Sequence, residues 1–368
     1  MEKKPAAAGR IRALDWHRAL AVLFMIECHC LALLSPSHDF DSLRLTLNSL
    51  NGLVAPSFIF AAGFALAMVS CRAASDPVGR RARALKTLSR IAEVLVVANI
   101  LKIQMWPVFS QPSWWLRVDV LSCIAYSLLV LWVCVFSLGN RPLTVAAVMA
   151  GLAALIFALA PWTETLRGLG PLQHFINNST QSPFPVLPWA GYGFLGASIG
   201  ALMSIPDRGP GLLLKGLVVM FVAGLAIAYS APLLTRLYRW NPWILTNAGE
   251  RIWKVAAIAL VLRGIELFGN SRGWAMKNPV TWVLELYGTS SLSAFYFHVT
   301  LLFGFTAPLI RGRYISFHPV GEWLAKADWG MYWFLAILII AGTGALCWAW
   351  NFIDVKLPWK AKKKTAKA

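Results

Sequence analysis

The first apolar run of this 368-residue chain contains Asp15, Arg18, Glu27 and His29, with His17 beside Arg18. Charge within a hydrocarbon-length segment is costly and is rarely kept without a use. Asp15, Arg18, Val22, Met25 and His29 recur at helical spacing, so one face of a helix carries them all. His29 lies eleven positions beyond Arg18, which is ~16 Å along a helix axis. Glu27 points nearly the opposite way and cannot partner His29 within that helix. An imidazole can take a proton from a hydroxyl or an amine, or can itself be acylated. The structural alternative is an Asp15–Arg18 ion pair at the interface, with His29 as a hydrogen-bonded packing residue.

The elements that hold these groups are read from composition. Hydrophobic residues make up 58% and charged residues 14%, and mean hydropathy is +0.61. A soluble domain would carry about a quarter charged residues. Several apolar runs reach the ~20 residues that a hydrocarbon core demands, and backbone in lipid must satisfy its own hydrogen bonds, so these runs are helices. The expected fold is all-α, with about ten transmembrane helices near 13–34, 52–71, 88–106, 118–138, 143–161, 185–204, 212–231, 252–269, 289–310 and 330–353. Residues 279–288 read as a short interfacial helix. No signal-peptide cleavage site follows the first run, which is read as a signal anchor.

The net charge of +18 is read as loop charge that orients the spans, not as a nucleic-acid footprint. Lys and Arg gather on the side holding Lys3, Lys4, Arg10, the Arg72–Arg90 segment and the lysine-rich tail, which makes that side cytoplasmic. Both termini then lie in the cytoplasm. The domain layout is a basic N-terminus over 1–12, one membrane domain over 13–355 and a basic tail over 356–368. His38, His174 and His318 fall in outer loops. The cysteine spacing predicts neither a disulfide framework nor a metal site.

Leu14-Asp15-Trp16-His17-Arg18-Ala19-Leu20-Ala21, followed by Met25-Ile26-Glu27-Cys28-His29, resembles the opening of the transmembrane acyltransferase superfamily. Arg18 and His29 match the Arg, ten residues, His spacing of its acyltransferase-3 branch. The sequence is more closely similar to the heparan-α-glucosaminide N-acetyltransferase catalytic-domain family. Ala55–Gly63, Leu116–Leu121, Leu187–Tyr192 and Ser291–His298 carry the rest of that likeness. Two positions depart from it. Ala19 stands where the family has Gly. Animal members carry Asn at the place of His29, with their catalytic His in the following loop, where the nearest here is His38.

The resemblance implies an acyl-CoA-dependent acetyltransferase that moves an acyl group from cytoplasmic acetyl-CoA to an extracytoplasmic sugar hydroxyl or amine. The implied catalytic residues are His29 or His38, with Asp15 and Arg18. Arg18, Arg80, Arg81, Arg83, Lys86 and Arg90 are candidates for the CoA phosphates, since arginine forks bind phosphate bidentately. A topology-setting role explains the same cations. Asp119, Arg117, Trp189 and His298 are candidates for the acceptor. The expected partners are acyl-CoA, a glycan or glycolipid acceptor and the bilayer of a bacterial inner membrane, with a homodimer left open and no metal. A transporter or flippase of ten helices is the rival reading, but it predicts a repeat that the sequence lacks.

Overall fold

The computed structural model describes residues 11–72, 77–106, 108–109, 111–138, 141–239, 242–272, 278–308, 314–317 and 327–356. Residues 1–10 of the expected N-terminal segment 1–12, the tail beyond 356 and His318 lie outside the described residues. The chain is overwhelmingly helical. In order it forms α1 (Arg12–Leu33), α2 (Ser42–Asn51), α3 (Val54–Arg72), α4 (Pro77–Met105), α5 (Val120–Leu138), α6 (Pro142–Thr163), α7 (Gln173–Ile176) and α8 (Val186–Met203). Then come α9 (Gly209–Tyr229), α10 (Ala231–Tyr238), α11 (Trp243–Arg272), α12 (Pro279–Thr289), α13 (Ser291–Phe303), strands β1 (Phe305–Pro308) and β2 (Tyr314–Phe317), and α14 (Trp329–Lys356).

Among the described residues, seven helical stretches are long and apolar enough to cross a membrane. They are Arg12–Leu33, Ser42–Arg72, Val120–Leu138, Pro142–Thr163, Val186–Met203, Gly209–Tyr229 and Trp329–Ile353. The other three expected spans fall on α4, α11 and α13. The first two are long but interrupted by charge, and α13 has 13 residues. Its expected extension to residue 310 is corrected: Gly304, at φ +61°, ends the helix and the chain turns into β1. There Phe305 pairs with Phe317 in an antiparallel hairpin. The short interfacial helix expected at 279–288 is α12, opened by Asn278, whose side chain accepts from the Thr281 N–H.

A second correction concerns the basic stretch at 80–90, read as a loop. It is the first part of α4, which begins with Pro77 and runs without a break to Met105. Pro at the first helical position lacks only a donor that would be unsatisfied anyway, and the Ala, Arg, Leu and Lys residues that follow are good helix formers.

Close helix packing rests on glycine. A Cβ on Gly196 of α8 would sit 2.0 Å from the Phe60 carbonyl oxygen of α3, and one on Gly200 would sit 2.2 Å from that of Phe64. Small residues let backbones approach where burial of apolar surface cannot drive helices together in lipid. Gly288 of α12 likewise lies against the backbone of Asp15, with a Cβ there only 2.2 Å from its carbonyl oxygen. The charged face of α1 is therefore held between α3 and α12, with α13 beside its far end.

Candidate active site

Asp15 and Arg18 sit one turn apart near the start of α1, their charged atoms 3.5 Å apart. Arg18 also donates to the Ala61 carbonyl of α3 at 3.2 Å. Toward the other end of α1, His29 meets His298 of α13. Nδ1 of His29 lies 2.8 Å from Nε2 of His298, and the rings stack at 5.0 Å between centroids, 7° from parallel. His298 is fully buried, and its Nδ1 is 2.9 Å from the Ala294 carbonyl.

These contacts fix the tautomers of the neutral rings. A carbonyl only accepts, so Nδ1 of His298 carries the hydrogen and Nε2 offers its lone pair. Nδ1 of His29 then donates to that lone pair, and Nε2 of His29 is left as an acceptor. Phe303 packs edge-on against His29 at 5.6 Å, and the His29 ring is partly exposed. Such an imidazole can accept a proton or act as a nucleophile.

A second imidazole is arranged in the same sense. His38 ends the 3-10 turn Pro36–His38 after α1, and its Nδ1 lies 2.8 Å from Oδ2 of Asp41. The same carboxylate oxygen accepts the indole N–H of Trp329 at 2.8 Å, and the Trp329 ring lies beside His38. Both hydrogen bonds favour the charged form and hold the Asp41 carboxyl below its usual range, that from Trp329 foremost. Asp41 went unnoticed in the sequence, although its i, i+3 relation to His38 was a usable signal.

The other candidates are dispersed. Asp119 caps α5 by accepting the Ser122 N–H at 2.7 Å, while Arg117 lies over the Trp114 ring, 3.7 Å from its centroid, and bonds Gln181. The two therefore make separate contacts. Trp189 packs on Phe184 and lies under the Arg251 guanidinium, so its surface is already engaged. His298, a candidate acceptor contact, is sealed behind His29. Arg80 bonds the Phe136 carbonyl of α5, whereas Arg81, Arg83, Lys86 and Arg90 are exposed. His174, in an outer loop, lies 3.3 Å from the Ser182 hydroxyl. Its pKa is lowered, first by burial and then by Arg117 and Lys102.

Two further buried polar groups lie apart from these imidazoles. Glu27 turns away from His29, as its spacing requires, and accepts from the Tyr332 hydroxyl of α14 at 2.5 Å. His17 is buried with neither ring nitrogen hydrogen-bonded, beside a narrow and largely apolar cavity lined in part by Phe60, Leu213 and Arg263. Among the described residues no group of three or more His, Cys, Asp or Glu is placed to hold a metal ion. All six cysteines are free thiols.

Seven apolar helical stretches among the described residues define a multi-pass integral membrane protein. The family model described as heparan-alpha-glucosaminide N-acetyltransferase, catalytic, matches residues 10–209, and the chain belongs to that family. Membership points to an enzyme of the membrane acetyltransferase type. A comparison with curated proteins gives no match.

Proposed function

We propose that this protein transfers an acetyl group from acetyl-CoA on the cytoplasmic side to a hydroxyl or amine of an extracytoplasmic glycan or glycolipid. In this reading the chain crosses a bacterial inner membrane ten times, α4, α11 and α13 adding to the seven long apolar stretches, and both termini lie in the cytoplasm. The observation that carries the reading is the His29–His298 pair, which leaves Nε2 of His29 free on the face of α1 that also bears Arg18. The acceptor's oxygen or nitrogen attacks the thioester carbonyl carbon. Nε2 takes its proton, the C–S bond breaks, and the proton passes to the departing thiolate to give CoA–SH. No metal is required by this sequence of steps.

A second reading makes His38 the base, favoured by the Asp41 carboxylate on its Nδ1. A carboxylate both orients an imidazole and stabilises the imidazolium that forms when it takes a proton. The test uses purified protein in lipid vesicles, radiolabelled acetyl-CoA and glucosamine-containing oligosaccharides. His29→Ala is expected to lower transfer by about 10²–10⁴-fold, the usual worth of a general base, with acetyl-CoA binding retained and His38→Ala much milder. The reverse pattern assigns the base to His38. Wild-type protein that neither binds acetyl-CoA nor transfers label refutes the acyltransferase reading and leaves transport as the rival.

A further inference from the structure

The basic residues of α4 are not equivalent, and their helical phase separates them. Arg83, Arg90, Val97 and Gln104 stand seven apart, two turns each, so they form one slowly drifting stripe. Lys86 falls on the same face as Gln104, five turns away. The direction of that stripe is fixed at its far end. Nε2 of Gln104 donates to the Thr300 hydroxyl oxygen at 3.2 Å and to the Gly304 carbonyl at 2.6 Å, both at the end of α13. Arg81 falls on the opposite side of α4, with the exposed Leu85 and Leu88. Arg80 is turned to α5.

α4 and α13 thus touch at their C-terminal ends, while near its N-terminal end the same face of α4 exposes Arg83, Lys86 and Arg90. On α13, Tyr296 and Phe303 are also seven apart and share a stripe. Phe303 is the ring packed edge-on against His29. Tyr296 therefore lies two turns inward of the His29 contact, on the flank of α13 between α1 and α4. Its ring is partly exposed, and its hydroxyl has no hydrogen-bond partner among the described residues.

We propose that the acyl-CoA donor enters between α4 and α13, with its phosphates on Arg83, Lys86 and Arg90, its pantetheine arm passing Tyr296 and its thioester at His29. The inference rests on the acyltransferase reading and adds the route and a residue, Tyr296, that meets the arm. The lengths agree. Arg90 lies about 21 Å from Gln104 along α4, and an extended pantetheine spans about 14–17 Å, the arginine side chain covering the rest. A tyrosine hydroxyl can donate to one amide carbonyl of the arm or accept from its N–H.

The test is calorimetric titration of detergent-purified protein with acetyl-CoA and, separately, with adenosine 3′,5′-bisphosphate, which keeps a phosphorylated nucleotide but lacks the arm. Replacing Arg83 and Arg90 together by Gln is expected to weaken both ligands by about tenfold or more, whereas Arg141→Gln, a cation at the start of α6 and outside the stripe, leaves both unchanged. Tyr296→Trp is expected to weaken acetyl-CoA by about tenfold and spare the bisphosphate. Tyr296→Phe, which removes only the hydroxyl, weakens acetyl-CoA by about threefold and decides the point if the tryptophan variant does not fold. Equal losses in Arg141→Gln and the double variant overturn the stripe. Full acetyl-CoA affinity in both Tyr296 variants overturns the route. Wild-type protein that binds no acetyl-CoA removes the acyltransferase reading itself, an outcome distinct from either.

Discussion

Nδ1 of His29 lies 2.8 Å from Nε2 of His298, and the Ala294 carbonyl holds the far nitrogen of His298, so one backbone oxygen sets the tautomer of two rings. In the proposed mechanism His298 acts through His29 and does not touch substrate. His298→Leu removes the acceptor and frees His29 to turn, so transfer is expected to fall by about 10–100-fold with acetyl-CoA affinity kept. His298→Gln supplies an amide oxygen that accepts the same hydrogen bond and is expected to recover part of the loss. Equal losses in both variants, with matching losses of thermal stability, would reduce His298 to a packing residue.

The Asp41 cluster makes a prediction in pH. Its carboxyl is held below the usual carboxylate range by the Trp329 N–H and His38. A depressed carboxyl contributes stability above its unfolded value, near 3.9, and that contribution is lost as pH falls through the lower folded value. The link from the turn after α1 to α14 is therefore intact from pH 8 to 5. Asp41→Asn should lower the melting temperature across that range, and the difference from wild type should close as pH falls through the depressed carboxyl value. A difference that persists undiminished at still lower pH would show that the Asp41 carboxylate is not the group the substitution removes.

Glycine at the α3–α8 contact gives a stability prediction with an internal control. A Cβ at Gly196 meets the Phe60 carbonyl at 2.0 Å, and backbone on both helices must move to admit it. Gly196→Ala is expected to cost about 1–3 kcal/mol, the range for overpacking. At Gly211 of α9 nothing lies within 4 Å of an added Cβ. Gly211→Ala should be neutral or slightly stabilising, because alanine is the better helix former. Thermal unfolding monitored by size-exclusion fluorescence measures both.

The helical period made the Arg18–His29 face legible, because both residues belong to one element and spacing alone fixes their phase. It also placed Glu27 on the opposite side, where it is found. The partner of His29 was not legible as a partner: His298 lies 269 positions away, and only the packing of α13 on α1 brings it close. The basic stretch at 80–90 was misread because charge density suggested a loop, while its helix-forming composition and Pro77 pointed to α4. The end of α13 was misplaced because the apolar pattern continues past Gly304, and a backbone turn at one glycine leaves that pattern unbroken.

Glu27 and Tyr332 provide the last prediction. Oε1 of Glu27 accepts the Tyr332 hydroxyl at 2.5 Å, both side chains are buried, and Oε2 has no hydrogen-bond partner. A buried acceptor that loses its donor keeps its full desolvation cost, so Tyr332→Phe is expected to destabilise the protein by about 1–3 kcal/mol. Glu27→Gln keeps an oxygen for the tyrosine and removes a charge from a buried site, so its cost is expected to be smaller. Replacing both, as Glu27→Leu with Tyr332→Phe, removes donor and acceptor together and should be milder than Tyr332→Phe alone, since an apolar pair of similar shape leaves nothing unsatisfied. Acetyl transfer should survive in the double variant, because Glu27 faces away from His29. A double variant as stable as wild type but without transfer would give Glu27 a part in the chemistry and refute the structural role argued for it.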